Sequence, residues 1–94
     1  MRQIKEHYLD TNVIGIQTCY LPSDAEVVDV VFFEDYDTIC LVTLEKQLSS
    51  GMKDVKIRNF QICDKEEMLY HVGKIKYIGK AKCEFGFKYV VEFL

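Results

Sequence analysis

Apolar and polar positions alternate with a period of two along most of the chain, in runs of seven to ten residues broken by polar turns. Asn12–Tyr20 (NVIGIQTCY) is rich in β-branched and aromatic residues and stops at LPSDAE, where Pro22 and Ser23-Asp24 mark a turn or crossing. Val27–Phe33 (VVDVVFF) is almost wholly apolar, which predicts a central strand covered on both faces. The polar connector Glu34–Asp37 and the strand Thr38–Leu44 (TICLVTL) complete a hairpin. Glu45–Asp54 is the longest polar stretch and predicts a mobile loop. In Val55–Ile62 the phase slips: Val55 and Ile57 fall on one face, Phe60 and Ile62 on the other. The slip predicts a bulge near Arg58-Asn59.

One segment departs from the β-pattern. Asp64 followed by Glu67 has the spacing of a helix N-cap with an acid at its third position, and Gly73 supplies the stop. The closing hairpin then places Ile75, Tyr77, Gly79, Ala81 and Cys83 on one face with Phe87, Tyr89, Val91 and Phe93, turning at Glu84–Gly86. The opposite face carries Lys74, Lys76, Ile78, Lys80 and Lys82, then Lys88, Val90, Glu92 and Leu94. These elements predict an all-β fold of about six strands with one short helix, a small sandwich or partly closed barrel in a single domain spanning 1–94.

Composition agrees with a soluble globular domain, being 49% hydrophobic and 29% charged over 94 residues. A core this small favours self-association, so a homo-oligomer is expected. There is no run of about 20 apolar residues to span a membrane and no apolar N-terminal stretch of a secretory signal. The expected location is therefore the cytoplasm. The four cysteines (Cys19, Cys40, Cys63, Cys83) are about evenly spaced with no C-x-x-C, and in a reducing compartment they read as free, mostly buried thiols rather than disulfides or a zinc site.

The net charge of −3 conceals an asymmetry. Residues 1–50 carry three bases against nine acids, a net of −6, while residues 51–94 carry nine bases against six acids, a net of +3. The acidic half excludes a general nucleic-acid binder. The basic half suits a small anion.

No catalytic signature stands out. Ser23, Ser49 and Ser50 sit in turn-like contexts outside any G-x-S-x-G, His7 and His71 are the only imidazoles, and EDYD lacks the spacing of a calcium loop. Gly79-Lys80 lacks the first glycine of a phosphate loop. The chain therefore reads as a non-enzyme with no cofactor and no metal site. Its best candidate site is the basic hairpin face: Lys76, Lys80, Lys82 and Lys88 as point charges for phosphates, with Arg58 adding a bidentate contact.

Three stretches carry a resemblance. YLPSDAEVVDV (Tyr20–Val30), CLVTL (Cys40–Leu44) and YIGKAKCEFGFKYVVEF (Tyr77–Phe93) resemble, in order and spacing, a family of short uncharacterised all-β proteins of bacterial viruses and prophages. The chain has QICDKEEMLYHV (Gln61–Val72) where many members of that family carry a Gly-Thr-Gly-His segment. The resemblance implies a small phage-type protein acting against host defence inside the host cytoplasm. Its leading form is a sponge that sequesters a phosphorylated signal of the cyclic-nucleotide class. The alternatives are an inhibitor that masks a basic surface of a host effector through Asp24, Glu26, Glu34, Asp35 and Asp37, and a virion or assembly accessory protein.

Overall fold

A computed structural model of the chain describes residues 2–46, 54–71, 73–84 and 86–94. These form seven strands: β1 (Arg2–Asp10), β2 (Ile16–Pro22), β3 (Glu26–Phe33), β4 (Thr38–Lys46), β5 (Val55–Cys63), β6 (Ile75–Cys83) and β7 (Gly86–Phe93). A 3-10 turn, Glu34–Tyr36, joins β3 to β4, and the helix α1 (Lys65–Tyr70) follows β5. Two antiparallel sheets result. Sheet A has the order β1-β4-β3 and sheet B the order β2-β5-β7-β6. The all-β class and two-sheet packing follow the pattern of the sequence, and the sheets do not close into a barrel.

The core lies between the sheets. Leu9, Ile39 and Leu41 from sheet A meet Leu21, Phe60, Ala81 and Val90 from sheet B, with Val30, Phe32, Ile62 and Ile78 packed around them. Strand alternation explains the choice: Leu9 pairs with Ile39, and His7 with Leu41, so one side of each strand faces inward. A smaller apolar layer lies on the other side of sheet B. Val91 and Cys63 point away from the main core yet are buried, because α1 packs there against β5 and β7. His71, just after the helix, sets its ring edge-on to Phe93 at 5.4 Å. The helix starts as its sequence predicts, with Glu67 N–H donating to the Asp64 carboxylate at 2.9 Å.

Four expectations need correction. Val27–Phe33 is not the covered central strand; it forms β3, whose Val28, Val31 and Phe33 are exposed, and the centre of sheet A is β4. Arg2–Asp10, whose charges hide its alternation, is a seventh strand. The bulge predicted at Arg58-Asn59 is not formed, since β5 pairs with β2 in unbroken register and leaves Val55 and Ile57 exposed on the outer side. The register shifts instead at Val27/Asp29 in β3 and at Tyr77/Gly79 in β6. Of the polar loop expected over Glu45–Asp54, Glu45 and Lys46 complete β4 and residues 47–53 lie outside the described residues, as does Phe85 of the final turn.

A close contact between the two sheets lies beside the shift in β6. β3 and β6, edge strands of different sheets, pack along each other. At Gly79 a Cβ would stand 2.8 Å from Val30 Cγ2, closer than real carbon contacts allow. The stiff β-branched valine cannot swing away freely. Gly79→Ala is therefore expected to lower stability by about 1–3 kcal/mol, and Val30→Ala in the same chain to recover part of that loss. Urea unfolding of the two single variants and the double variant checks the coupling.

Candidate binding surfaces

The shift at Ile78 divides the basic residues of the closing hairpin. Before it, Ile75 and Tyr77 point to the outer side of sheet B; after it, Lys80 and Lys82 take that side while Gly79, Ala81 and Cys83 turn inward. Lys80 and Lys82 thus share a face with Tyr77, Tyr89 and Phe87, and Lys80 Nζ sits 4.7 Å from the centre of the Phe87 ring. Lys76 pairs directly with Glu92 on the inner side. Lys88 lies on that side as well, four residues along β7 from Glu92, or about 13 Å at strand rise. The single basic face expected from simple alternation is not formed. The five predicted cations are split: Arg58 and Lys76 neighbour Glu92 on the inner side, Lys80 and Lys82 share the outer side, and Lys88 stands apart.

Arg58 is already engaged. Its Nε and Nη2 donate to Glu92 Oε2 and Oε1, both at 2.6 Å, and Nη1 donates to the Ala25 carbonyl at 2.8 Å. The Phe60 ring lies 5.5 Å away on the core side. The pair is largely buried, and the hydrogen bonds to Glu92 hold the guanidinium pKa above its ordinary value. Such a bidentate pair locks β5 to β7 and ties both to the start of β3; removing one partner would strand a buried charge. Beside it opens a cleft of about 470 Å³ lined by Ser23, Lys56, Asn59 and Lys76. Lys56, on β5, was not among the predicted cations, although its place two residues before Arg58 puts both on one strand face.

The outer side of sheet A is a different surface. Reading across β1, β4 and β3, successive rows are Ile4–Leu44–Glu26, Glu6–Val42–Asp29, Tyr8–Cys40–Val31 and Asp10–Thr38–Phe33. Ile4, Tyr8, Val31 and Phe33 are exposed on it. The Tyr8 and Phe33 rings stand 6.2 Å apart, and with Tyr36 and Thr38 they line a shallow concavity of about 420 Å³. The Tyr8 hydroxyl donates to Glu6 Oε2 at 2.8 Å, which raises the tyrosine pKa. Carboxylates frame the aromatic patch: Glu6, Asp10 and Asp29 on the strands, Glu34, Asp35 and Asp37 at the 3-10 turn. Thr11 anchors that turn, its N–H and hydroxyl both donating to the Asp37 carbonyl, while Asp37 takes the left-handed conformation. Tyr36 is thereby presented at 81% exposure. Of the two other acids predicted to act with this group, Asp24 accepts from the Lys46 N–H at 3.1 Å and Glu26 pairs with Arg2 at 3.4 Å. Tyr8 escaped sequence reasoning because β1 was not read as a strand, though the spacing of Ile4, Glu6 and Tyr8 signalled it, and Phe33 because its strand was expected to be covered on both faces.

One buried polar cluster and four thiols complete the inventory of polar groups. Glu45 and Thr43 are buried on the inner side of β4, where Glu45 Oε2 takes a 2.5 Å hydrogen bond from the Thr43 hydroxyl and lies 2.7 Å from His7 Nε2. The four cysteines are free thiols. Burial, reinforced by Glu6 and Asp29, pushes Cys40 up to about 11, and burial with Glu67 and Asp64 does the same to Cys63. Burial raises Cys19 and Cys83 as well. These are protonated structural thiols at neutral pH, not activated nucleophiles.

A folded-state pKa above the unfolded value means that the native state holds its proton more tightly. Stability from this source is complete below a thiol's ordinary 9.0 and is lost as pH rises towards about 11. Denaturant midpoints measured across that window should fall, and fall less steeply in a Cys40→Ala, Cys63→Ala chain.

Among the described residues no three His, Cys, Asp or Glu side chains are placed to hold a metal ion, and no helix is long and apolar enough to cross a membrane. Comparison with family models, curated proteins and solved structures finds no match to this chain.

Proposed function

We propose that this chain is a non-catalytic protein-binding module that docks through the outer side of sheet A onto a partner with an apolar centre and a basic rim. The observation that supports the reading is the exposed Tyr8–Phe33–Tyr36 patch framed by six carboxylates on a sheet side that, among the described residues, no further strand or helix covers. Aromatic side chains at the centre and charges at the edge are the arrangement of a protein interface. The charge sign selects the partner. A second copy would bring two acidic rims together, whereas a basic surface neutralises them and is steered towards them. With the resemblance to phage proteins, this makes the chain an inhibitor that masks a basic surface of a host defence effector.

The test is a partner isolated from the host by the intact chain. Glu34→Lys with Asp35→Lys, and separately Tyr36→Ala, should lose it; Lys80→Glu with Lys82→Glu should retain it. Binding should also weaken as salt rises. A partner indifferent to the 34–36 substitutions, and lost on reversing the lysines, overturns the reading.

A second reading rests on the cleft beside Arg58. Lys56 and Lys76 form no ion pair among the described residues, and about 470 Å³ lies within the range of roughly 300–1,000 Å³ typical of small-molecule sites. A phosphorylated ligand such as a cyclic nucleotide would place its phosphates between these two lysines, with Ser23 as a hydrogen-bonding neighbour, and be withheld intact. Cyclic di- and trinucleotides should then raise the melting temperature of the native chain but not of Lys56→Glu, Lys76→Glu. Absence of any shift removes this reading.

A further inference from the structure

We propose that two copies of this chain pair through the free edge of β2, antiparallel about a two-fold axis at Thr18, joining their sheets B into one continuous eight-stranded sheet. This surface lies apart from the docking face of sheet A.

The two outermost strands beside the β1–β2 connection are built differently. β1 carries Arg2, Lys5, Glu6 and Asp10, and such charges keep an exposed strand edge from pairing. From Ile16 to Leu21, β2 carries none. Among the described residues it pairs with β5 on one side only, so half of its backbone N–H and C=O groups point away from the sheet. The contact between β2 and β1 is made by a side chain: Gln17 donates its amide to the Asp10 carbonyl at 2.8 Å and accepts from the Asp10 N–H at 2.9 Å. That arrangement satisfies the end of β1 and leaves the backbone edge of β2 open.

The residue pattern of β2 is self-complementary. With the axis at Thr18, Ile16 of one copy lies opposite Tyr20 of the other, twice, and Thr18 opposite Thr18. Aromatic–β-branched and Thr–Thr pairs are among the favourable cross-strand combinations. Ile16 and Tyr20 are 54% and 69% exposed in the single chain, so each supplies the cover the other lacks. On the inner side Gln17 faces Cys19. This register also leaves Pro22, which has no N–H to donate, outside the five-residue pairing. The neighbouring outer positions on β5, Ile57, Asn59 and Gln61, are uncharged, so the contact brings no like charges together. A second copy is the occupant these features fit, because the pairs repeat only when the partner strand is β2 itself.

The intact chain should sediment as a dimer at tens of micromolar. Thr18 is exposed, so Thr18→Lys should fold with an unchanged circular dichroism spectrum yet sediment as a monomer, two lysines now meeting at the axis. Thr18→Cys should form an intermolecular disulfide on mild oxidation, and peptide mass spectrometry should join residue 18 to residue 18, with Cys19 remaining uncross-linked. A monomeric wild type overturns the proposal, as does a dimer that survives Thr18→Lys or that cross-links elsewhere. None of these outcomes depends on Glu34, Asp35 or Tyr36, so failure here is distinguishable from failure of the docking reading.

Discussion

The contact between Gly79 and Val30 is the constraint on which the arrangement of the surface depends. Here the edge strands of the two sheets come close enough that a single Cβ has no room. Beside this contact β6 carries one extra residue, and that residue reverses which side chains face out along the rest of the strand. Ala81 is thereby buried against the core, and Lys80 and Lys82 are turned to the outer side with Phe87 and Tyr89. A hairpin that would carry all its lysines on one side instead distributes them over two. The placement of these lysines therefore follows from the register of β6 at the join of the two sheets.

Legibility in the sequence tracked burial and local chemistry. The helix start at Asp64 was readable because a cap is a local device with its own residues. β4 was readable because its apolar positions occupy both sides, and β7 because its turn glycine takes a positive φ. β1 was not, since an edge strand with only Leu9 buried has little apolar signal to show. The bulges were missed or misplaced for a related reason. A phase slip in the sequence can mean an inserted residue or simply exposed apolar side chains, and in β5 it means the latter: Val55 and Ile57 lie outside. The shift at Ile78 lies against a residue about fifty positions away in the chain, a neighbour that no local window contains. The cluster of five cations failed as a unit on that shift, while Arg58 and Lys76 stayed together because both neighbour Glu92.

Charge separates the two outer sides more sharply than apolar content does. Both expose aliphatic and aromatic residues. On sheet A these residues sit inside a ring of carboxylates; along β2 and the adjoining part of β5 they sit among Thr18, Asn59 and Gln61. An acid-ringed patch repels its own copy, and an uncharged edge strand does not. Electrostatics alone thus separates the surface proposed for self-association from the surface proposed for a basic partner. A dimer joined at β2 would in turn carry two copies of the acidic docking face. If both engage one multivalent partner, the second contact forms at the effective concentration set by the first, and a modest interface on each small domain gains avidity without enlarging either one.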